Sequence, residues 1–129
     1  MEKICLDFET TLDFLRGDAA TIEKLKYYAD REEICITSFT MLQLLETVSK
    51  QEVITAFVNS VTVLPFDRRA AHIAADILTN DLADHADIHK RTENVLTAAI
   101  CIANEAFLYA KSPSKSPSKF EGIKGLKKV

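Results

Sequence analysis

Short apolar runs recur along the chain, and each is followed within a few residues by a capping residue and a stretch of helical periodicity. Lys3 to Asp7 reads as a buried strand leading into the helix-like Thr11-Leu12-Asp13-Phe14-Leu15-Arg16-Gly17. Asp18 then caps an amphipathic helix carrying Ile22, Leu25 and Tyr28. Ile34-Cys35-Ile36-Thr37 is a second strand, ending at Ser38, which with Thr40 is placed to cap a helix bearing Met41, Leu42, Leu44, Leu45 and Val48. A shorter helix around Glu52 to Asn59 precedes a third strand from Val61 to Phe66, after which Asp67 opens an Ala-rich helix from Ala70 to Leu78. Its small side chains permit close packing. Thr92 is expected to cap a last helix over Val95 to Ala103, followed by strands at Phe107–Ala110 and Leu126–Val129. Strands that alternate with helices need crossover connections, and right-handed crossovers cover both faces of the sheet. The expected fold is therefore α/β, three layers around a central, mainly parallel sheet.

With 129 residues, 47% of them hydrophobic and 27% charged, the chain suits a single domain, residues 1–129, with one core. No apolar stretch approaches the roughly 20 residues of a membrane span, and the N-terminus lacks the basic-then-apolar order of a secretory signal. A soluble, cytoplasmic protein with no membrane partner is expected. Cys5, Cys35 and Cys101 are odd in number and set within apolar runs, so they read as buried reduced thiols rather than disulfides, zinc ligands or a nucleophile.

The net charge of −3 hides an asymmetry: from Lys111 onward there are six lysines against Glu121 alone, leaving an acidic body and a basic tail. Such a tail can track phosphates or be a solvated surface, and the solvated surface is the simpler reading. The segment Ser112-Pro113-Ser114-Lys115-Ser116-Pro117-Ser118-Lys119 is a tandem tetrapeptide with neither helix nor strand periodicity, so 111–119 is expected to be a mobile loop.

Asp7 stands where a buried strand emerges into solvent, which is where open α/β sheets keep their chemistry. The element order, together with Ile4-Cys5-Leu6-Asp7, Leu12-Asp13-Phe14-Leu15-Arg16-Gly17, Ile36-Thr37-Ser38-Phe39-Thr40, Val63-Leu64-Pro65-Phe66-Asp67, Leu96-Thr97-Ala98-Ala99 and Phe120-Glu121-Gly122-Ile123-Lys124-Gly125-Leu126, resembles the PIN-domain family, and within it the VapC-type toxins. The resemblance covers nearly the whole chain. It implies a Mg²⁺- or Mn²⁺-dependent endoribonuclease of toxin–antitoxin type, with acidic residues gathered at the C-terminal ends of the central strands. It also implies RNA and a small antitoxin-like protein as partners, and a homodimer.

Asp7 matches the first of the family's acids, whereas Gln43, Asn94 and Ser112 fall where the others belong. Phe8 and Glu9 also replace the small residues usual after the aspartate. Hard dications need anionic oxygen, because displacing water from Mg²⁺ calls for carboxylates in near-octahedral array rather than neutral amides. Strict transfer of the family's positions therefore predicts weakened or lost cleavage. The counter-reading is a relocated ligand set. Glu46 lies three residues beyond Gln43 on the same helix face, Glu9 follows Asp7, and Glu93 neighbours Asn94 at an expected helix start. Asp7 with Glu9, Glu46 and Glu93 would then hold the metal. Two functions stay open: a metal-dependent ribonuclease, or a catalytically inactive RNA- or protein-binding module.

Asp81, Asp84, His85, Asp87 and His89 form a second polar constellation, preferred here as a solvent-facing helix end over a metal clip. His72, among Ala70, Ala71, Ile73 and Ala74, reads as a packing or surface residue. Gly17, Gly122 and Gly125 read as helix-end and turn glycines. A strand-end aspartate such as Asp7 also has a purely structural use, as the cap of the next helix.

Overall fold

The structure, a computed structural model, describes residues 1–81, 88–110 and 123–129. The 111–119 segment, Ser112, Gly122 and the Asp84–Asp87 part of the second polar constellation lie outside the described residues, as do the side chains of Asp81 and His89.

The elements run β1 (Lys3–Leu6), α1 (Phe8–Leu15), α2 (Ala19–Ala29), β2 (Glu33–Thr37), α3 (Ser38–Thr47), α4 (Gln51–Ser60), β3 (Thr62–Leu64), α5 (Arg68–Asp76), α6 (Ile88–Ala103), β4 (Phe107–Tyr109) and β5 (Lys127–Lys128). A π-helical turn, Ile77–Asp81, continues α5. The sheet order is β3-β2-β1-β4-β5, and every described pairing is parallel. Cys5 sits between Cys35 of β2 and Leu108 of β4, so β1 is the central strand.

Alternation along the strands divides the core in two. Ile4, Leu6, Ile36 and Tyr109 point to one face, where they meet Leu25, Leu44, Ile54 and Phe57 from α2 to α4. Cys5, Cys35 and Leu108 point to the other, against Ala70, Ala74, Val95, Ala98 and Ala99 of α5 and α6. The three cysteines are free and fully buried in this second layer. Burial and a hydrogen bond with Cys101 push the Cys5 thiol well above its ordinary value, Cys101 being the larger cause. Desolvation, reinforced by the Glu33 carboxylate, pushes the Cys35 thiol up to about 12. Thiols held neutral and away from solvent are inert, as the apolar surroundings of the three residues implied.

Caps set most helix starts. Asp18 accepts the Thr21 N–H at 3.0 Å and Asp67 the Ala70 N–H at 2.9 Å, as their sequence positions predicted. Two expected starts differ. Thr37, not Ser38, caps α3, its hydroxyl accepting the Thr40 N–H at 3.0 Å, while the Ser38 hydroxyl accepts the Phe66 N–H. The helix α6 begins at Ile88 rather than after Thr92, because the polar residues before Val95 contain no breaker and the helix simply continues through them. The third strand is also shorter than expected, ending at Leu64, since Pro65 has no N–H to extend the ladder.

Candidate active-site cleft

The chain leaves β1 for β2 and β3 on one side and returns for β4 on the other, so β1 and β4 flank the switch point of the sheet. Crevices in open α/β sheets form outside the carboxyl ends of strands at such points. Asp7 follows β1 there, its backbone N–H donating to the Tyr109 carbonyl at the end of β4 at 3.2 Å. Its side chain is 7% exposed, and Oδ1 accepts the Thr10 N–H at 2.9 Å. The carboxylate therefore caps α1, satisfying one of the donors that a helix start leaves unpaired. The Thr11 hydroxyl donates to the Asp7 carbonyl at 2.8 Å, which ties the same turn to the strand end.

Beside Asp7 lies a cleft of about 80 Å³ lined by Phe8, Glu9, Gln43, Glu93, Asn94 and Thr97. Gln43 arrives on α3 and the last three on α6, and the Gln43 side-chain amide donates a long hydrogen bond of 3.4 Å to the Glu93 carboxylate. Asp7, Gln43 and Asn94 thus share one cleft, joined by Glu9 and Glu93. Glu46 is exposed on α3 and does not line it. Because α6 starts at Ile88, Glu93 and Asn94 sit in its second turn rather than at its first, where the partial positive charge of the helix terminus has already faded. Thr97 was not singled out in the sequence, although its position one turn beyond Glu93 and Asn94 places it on their helix face. His72 is exposed on α5.

No protein-family model and no curated protein matches the chain. Solved structures do. A chain of the VapBC2 complex from Rickettsia felis, bound to a DNA fragment from their promoter, is 14% identical with a TM-score of 0.73, covering 98% of this chain and 97% of that one. A chain of the DNA-bound VapBC from Salmonella typhimurium is 20% identical with a TM-score of 0.72, covering 100% and 98%. A toxin–antitoxin complex from Klebsiella pneumoniae gives 13% identity and a TM-score of 0.65, covering 95% and 94%. The chain has a VapC-like PIN fold. The central sheet is accordingly parallel throughout its described strands, and the cleft lies where strand topology puts the reacting end of such folds.

The family resemblance read from the sequence implies a Mg²⁺ or Mn²⁺ ion, so the donor set of the cleft bears on that expectation. The cleft presents the carboxylates of Asp7, Glu9 and Glu93 beside the neutral Gln43, Asn94 and Thr97. One oxygen of Asp7 is engaged by the helix it caps. Among the described residues no three Asp, Glu, His or Cys side chains converge closely enough to hold an ion. Mg²⁺ takes near-octahedral oxygen at about 2.0–2.1 Å, one or two ligands coming from carboxylates and several from water, so the described carboxylates supply charge without a close cluster to hold the ion. Among the described residues no cation lines the cleft, whose described charges are the carboxylates of Asp7, Glu9 and Glu93.

Proposed function

We propose that this VapC-like PIN protein is of toxin–antitoxin type and acts by binding rather than by turnover, the family's metal-dependent endoribonuclease activity being weakened or lost. The observation that carries this reading is the cleft itself, where Gln43 and Asn94 supply amides, Asp7 spends one carboxylate oxygen on a helix cap, and Glu9 and Glu93 do not converge with it into a cluster. Neutral amides do not concentrate a hard dication, and without one neither activation of water nor shielding of the phosphate is available.

A small antitoxin-like protein is the first partner. The similar solved structures are themselves toxin–antitoxin assemblies. A groove of about 410 Å³ between α2 and α4, with Leu25, Ile34, Phe57 and Val61 among its apolar walls, supports an amphipathic segment as the ligand. RNA is the second partner. A homodimer is the proposed working form, supported by the exposed Leu42 and Leu45 on α3, with Phe66 hydrogen-bonded to its first turn.

The deciding experiment incubates the purified protein with a single-stranded transcript in Mg²⁺ or Mn²⁺ buffer, with and without chelator, beside Asp7→Ala, and titrates both proteins calorimetrically with Mn²⁺. An intact transcript and no binding heat are expected in both. Chelator-sensitive cleavage that Asp7→Ala abolishes would overturn the proposal and restore the ribonuclease, with Glu9 and Glu93 drawn toward Asp7.

A further inference from the structure

Among the described residues the cleft carries no cation, and the described cations that meet aromatic rings lie elsewhere on the fold. They lie on the sheet face that α2 covers. Three cations there sit over aromatic rings: Lys24 Nζ is 4.9 Å from the centroid of Tyr109, Lys127 Nζ is 4.9 Å from that of Phe107, and the Arg31 guanidinium is 4.2 Å from that of Tyr27. The rings are packed in sequence, Tyr27 edge-on to Tyr28 and Tyr28 edge-on to Tyr109, at centroid separations of 5.4 and 6.2 Å. In an acidic chain, aromatic rings and cations are gathered along one edge of the molecule.

At the amino ends of the strands, opposite the Asp7 cleft, this edge opens into a groove of about 320 Å³ between α2 and the β4–β5 edge. Tyr27, Tyr28 and Phe107 form its walls, with Arg31 and Lys128 at its rim. Tyr27 is 56% exposed, a large ring left in solvent with a guanidinium already stacked on it. Arg31 is fixed in that position by donating from Nη1 to the Tyr27 carbonyl at 3.2 Å. A guanidinium that sits over a ring and spends one donor on a carbonyl keeps other donors for a phosphate and adds its own planar face to the ring's for a base. The groove also contains Glu2 and Glu32, and the Glu32 carboxylate is engaged by the Glu2 backbone N–H.

We propose that this groove is a base-stacking subsite for single-stranded RNA, with Tyr27 and Arg31 as the platform and Lys128 beside the backbone. The subsite rests on the reading of the protein as an RNA binder, and it places that binding away from the negative cleft. Bases have π-faces, which the exposed Tyr27 ring complements, and phosphates have charge, for which Arg31 and Lys128 offer donors beside the carboxylates of Glu2 and Glu32. An acidic peptide would use the cations but gain little from an exposed ring.

The test is fluorescence anisotropy with a labelled, unstructured RNA 12-mer of mixed sequence, for the parent, Tyr27→Ala, Tyr27→Phe and Arg31→Ala, across a salt series. Thermal melting shows that each exposed substitution leaves the fold intact. Tyr27→Ala is expected to weaken binding about 5- to 150-fold with an unchanged salt slope, Tyr27→Phe to bind like the parent, and Arg31→Ala to weaken binding and reduce the salt slope by about 0.7. Parental affinity in Tyr27→Ala overturns the subsite while leaving RNA binding standing. No binding by the parent overturns both. Displacement by polyglutamate together with indifference to Tyr27→Ala overturns the subsite in favour of an acidic peptide.

Discussion

Replacing Asp7 by asparagine and by alanine separates the two things a carboxylate can do at this strand end. As a cap it accepts the Thr10 N–H at 2.9 Å from a side chain 7% exposed. Asparagine offers a carbonyl oxygen at the same reach and caps as well as aspartate, whereas alanine offers nothing, at a cost of about 0.5–2 kcal/mol. Unfolding entropy near 60 °C is about 2.1 cal/mol/K per residue. Over 129 residues the cost of alanine becomes a fall in melting temperature of about 2–7 °C. Asp7→Asn should melt within about 2 °C of the parent, the spread usual among good caps. Calorimetry or far-ultraviolet circular dichroism measures both. Equal losses in Asn and Ala would refute the capping account, because they would show that the negative charge, not the acceptor, holds the residue in place. Parental stability in Asp7→Ala would refute it equally.

Restoring carboxylates by Gln43→Glu with Asn94→Asp adds two anionic oxygens to the walls of the cleft. The double variant is expected to bind Mn²⁺ more tightly than the parent by calorimetry, and no gain would show that the amides at 43 and 94 are not what limits the site. Cys35 supplies a pH dependence. Its thiol titrates at about 12 in the folded protein against an ordinary 9.0, so its contribution is intact below pH 9 and is lost as pH rises from about 9 to 12. The loss is about 1.3 kcal/mol between pH 8 and pH 10, and Cys35→Ala should flatten that part of the alkaline limb in urea titrations relative to the parent. Ala74→Leu inserts bulk where α5 meets α6 on buried alanines, and is expected to destabilise by about 1–3 kcal/mol by chemical denaturation.

The strand and helix pattern was legible because each element follows from local rules. Apolar β-branched runs gave strands, and Asp18 and Asp67 announced helices through caps that need only a carboxylate three residues before an unpaired N–H. Thr37 and Ser38 carry the same functional group, and the choice between them turns on where the backbone bends, which no residue identity encodes. The start of α6 was misplaced for a related reason: Thr92 is a good cap in isolation, but nothing before it stops a helix that tertiary packing on Val95, Ala98 and Ala99 sustains. In the cleft, Asp7 was legible as a strand-end aspartate, whereas Gln43 and Asn94 were legible only through the family resemblance that assigns their positions. The bond between Gln43 and Glu93 links residues 50 apart in sequence and depends on how α3 meets α6. The basic-aromatic edge was equally hidden, since Tyr27, Phe107 and Lys128 come together only when β4 and β5 add to the sheet.

The cleft can take amides at positions 43 and 94 without losing its shape, because different side chains hold the helices and line the cleft. The helix that carries Gln43 is anchored by Thr40 and Leu44, both essentially inaccessible to solvent, and the helix that carries Asn94 by Val95, Ala98, Ala99 and Ile100. None of these faces the cleft. Swapping a carboxylate for an amide at positions 43 or 94 therefore alters almost no buried apolar area, and the hydrophobic burial that dominates folding is untouched. Asp7 differs, since its carboxylate serves the fold through the α1 cap as well as facing the cleft. The fold therefore needs an acceptor at position 7 and tolerates amides at 43 and 94, which is the combination the proposed binding role would leave in place.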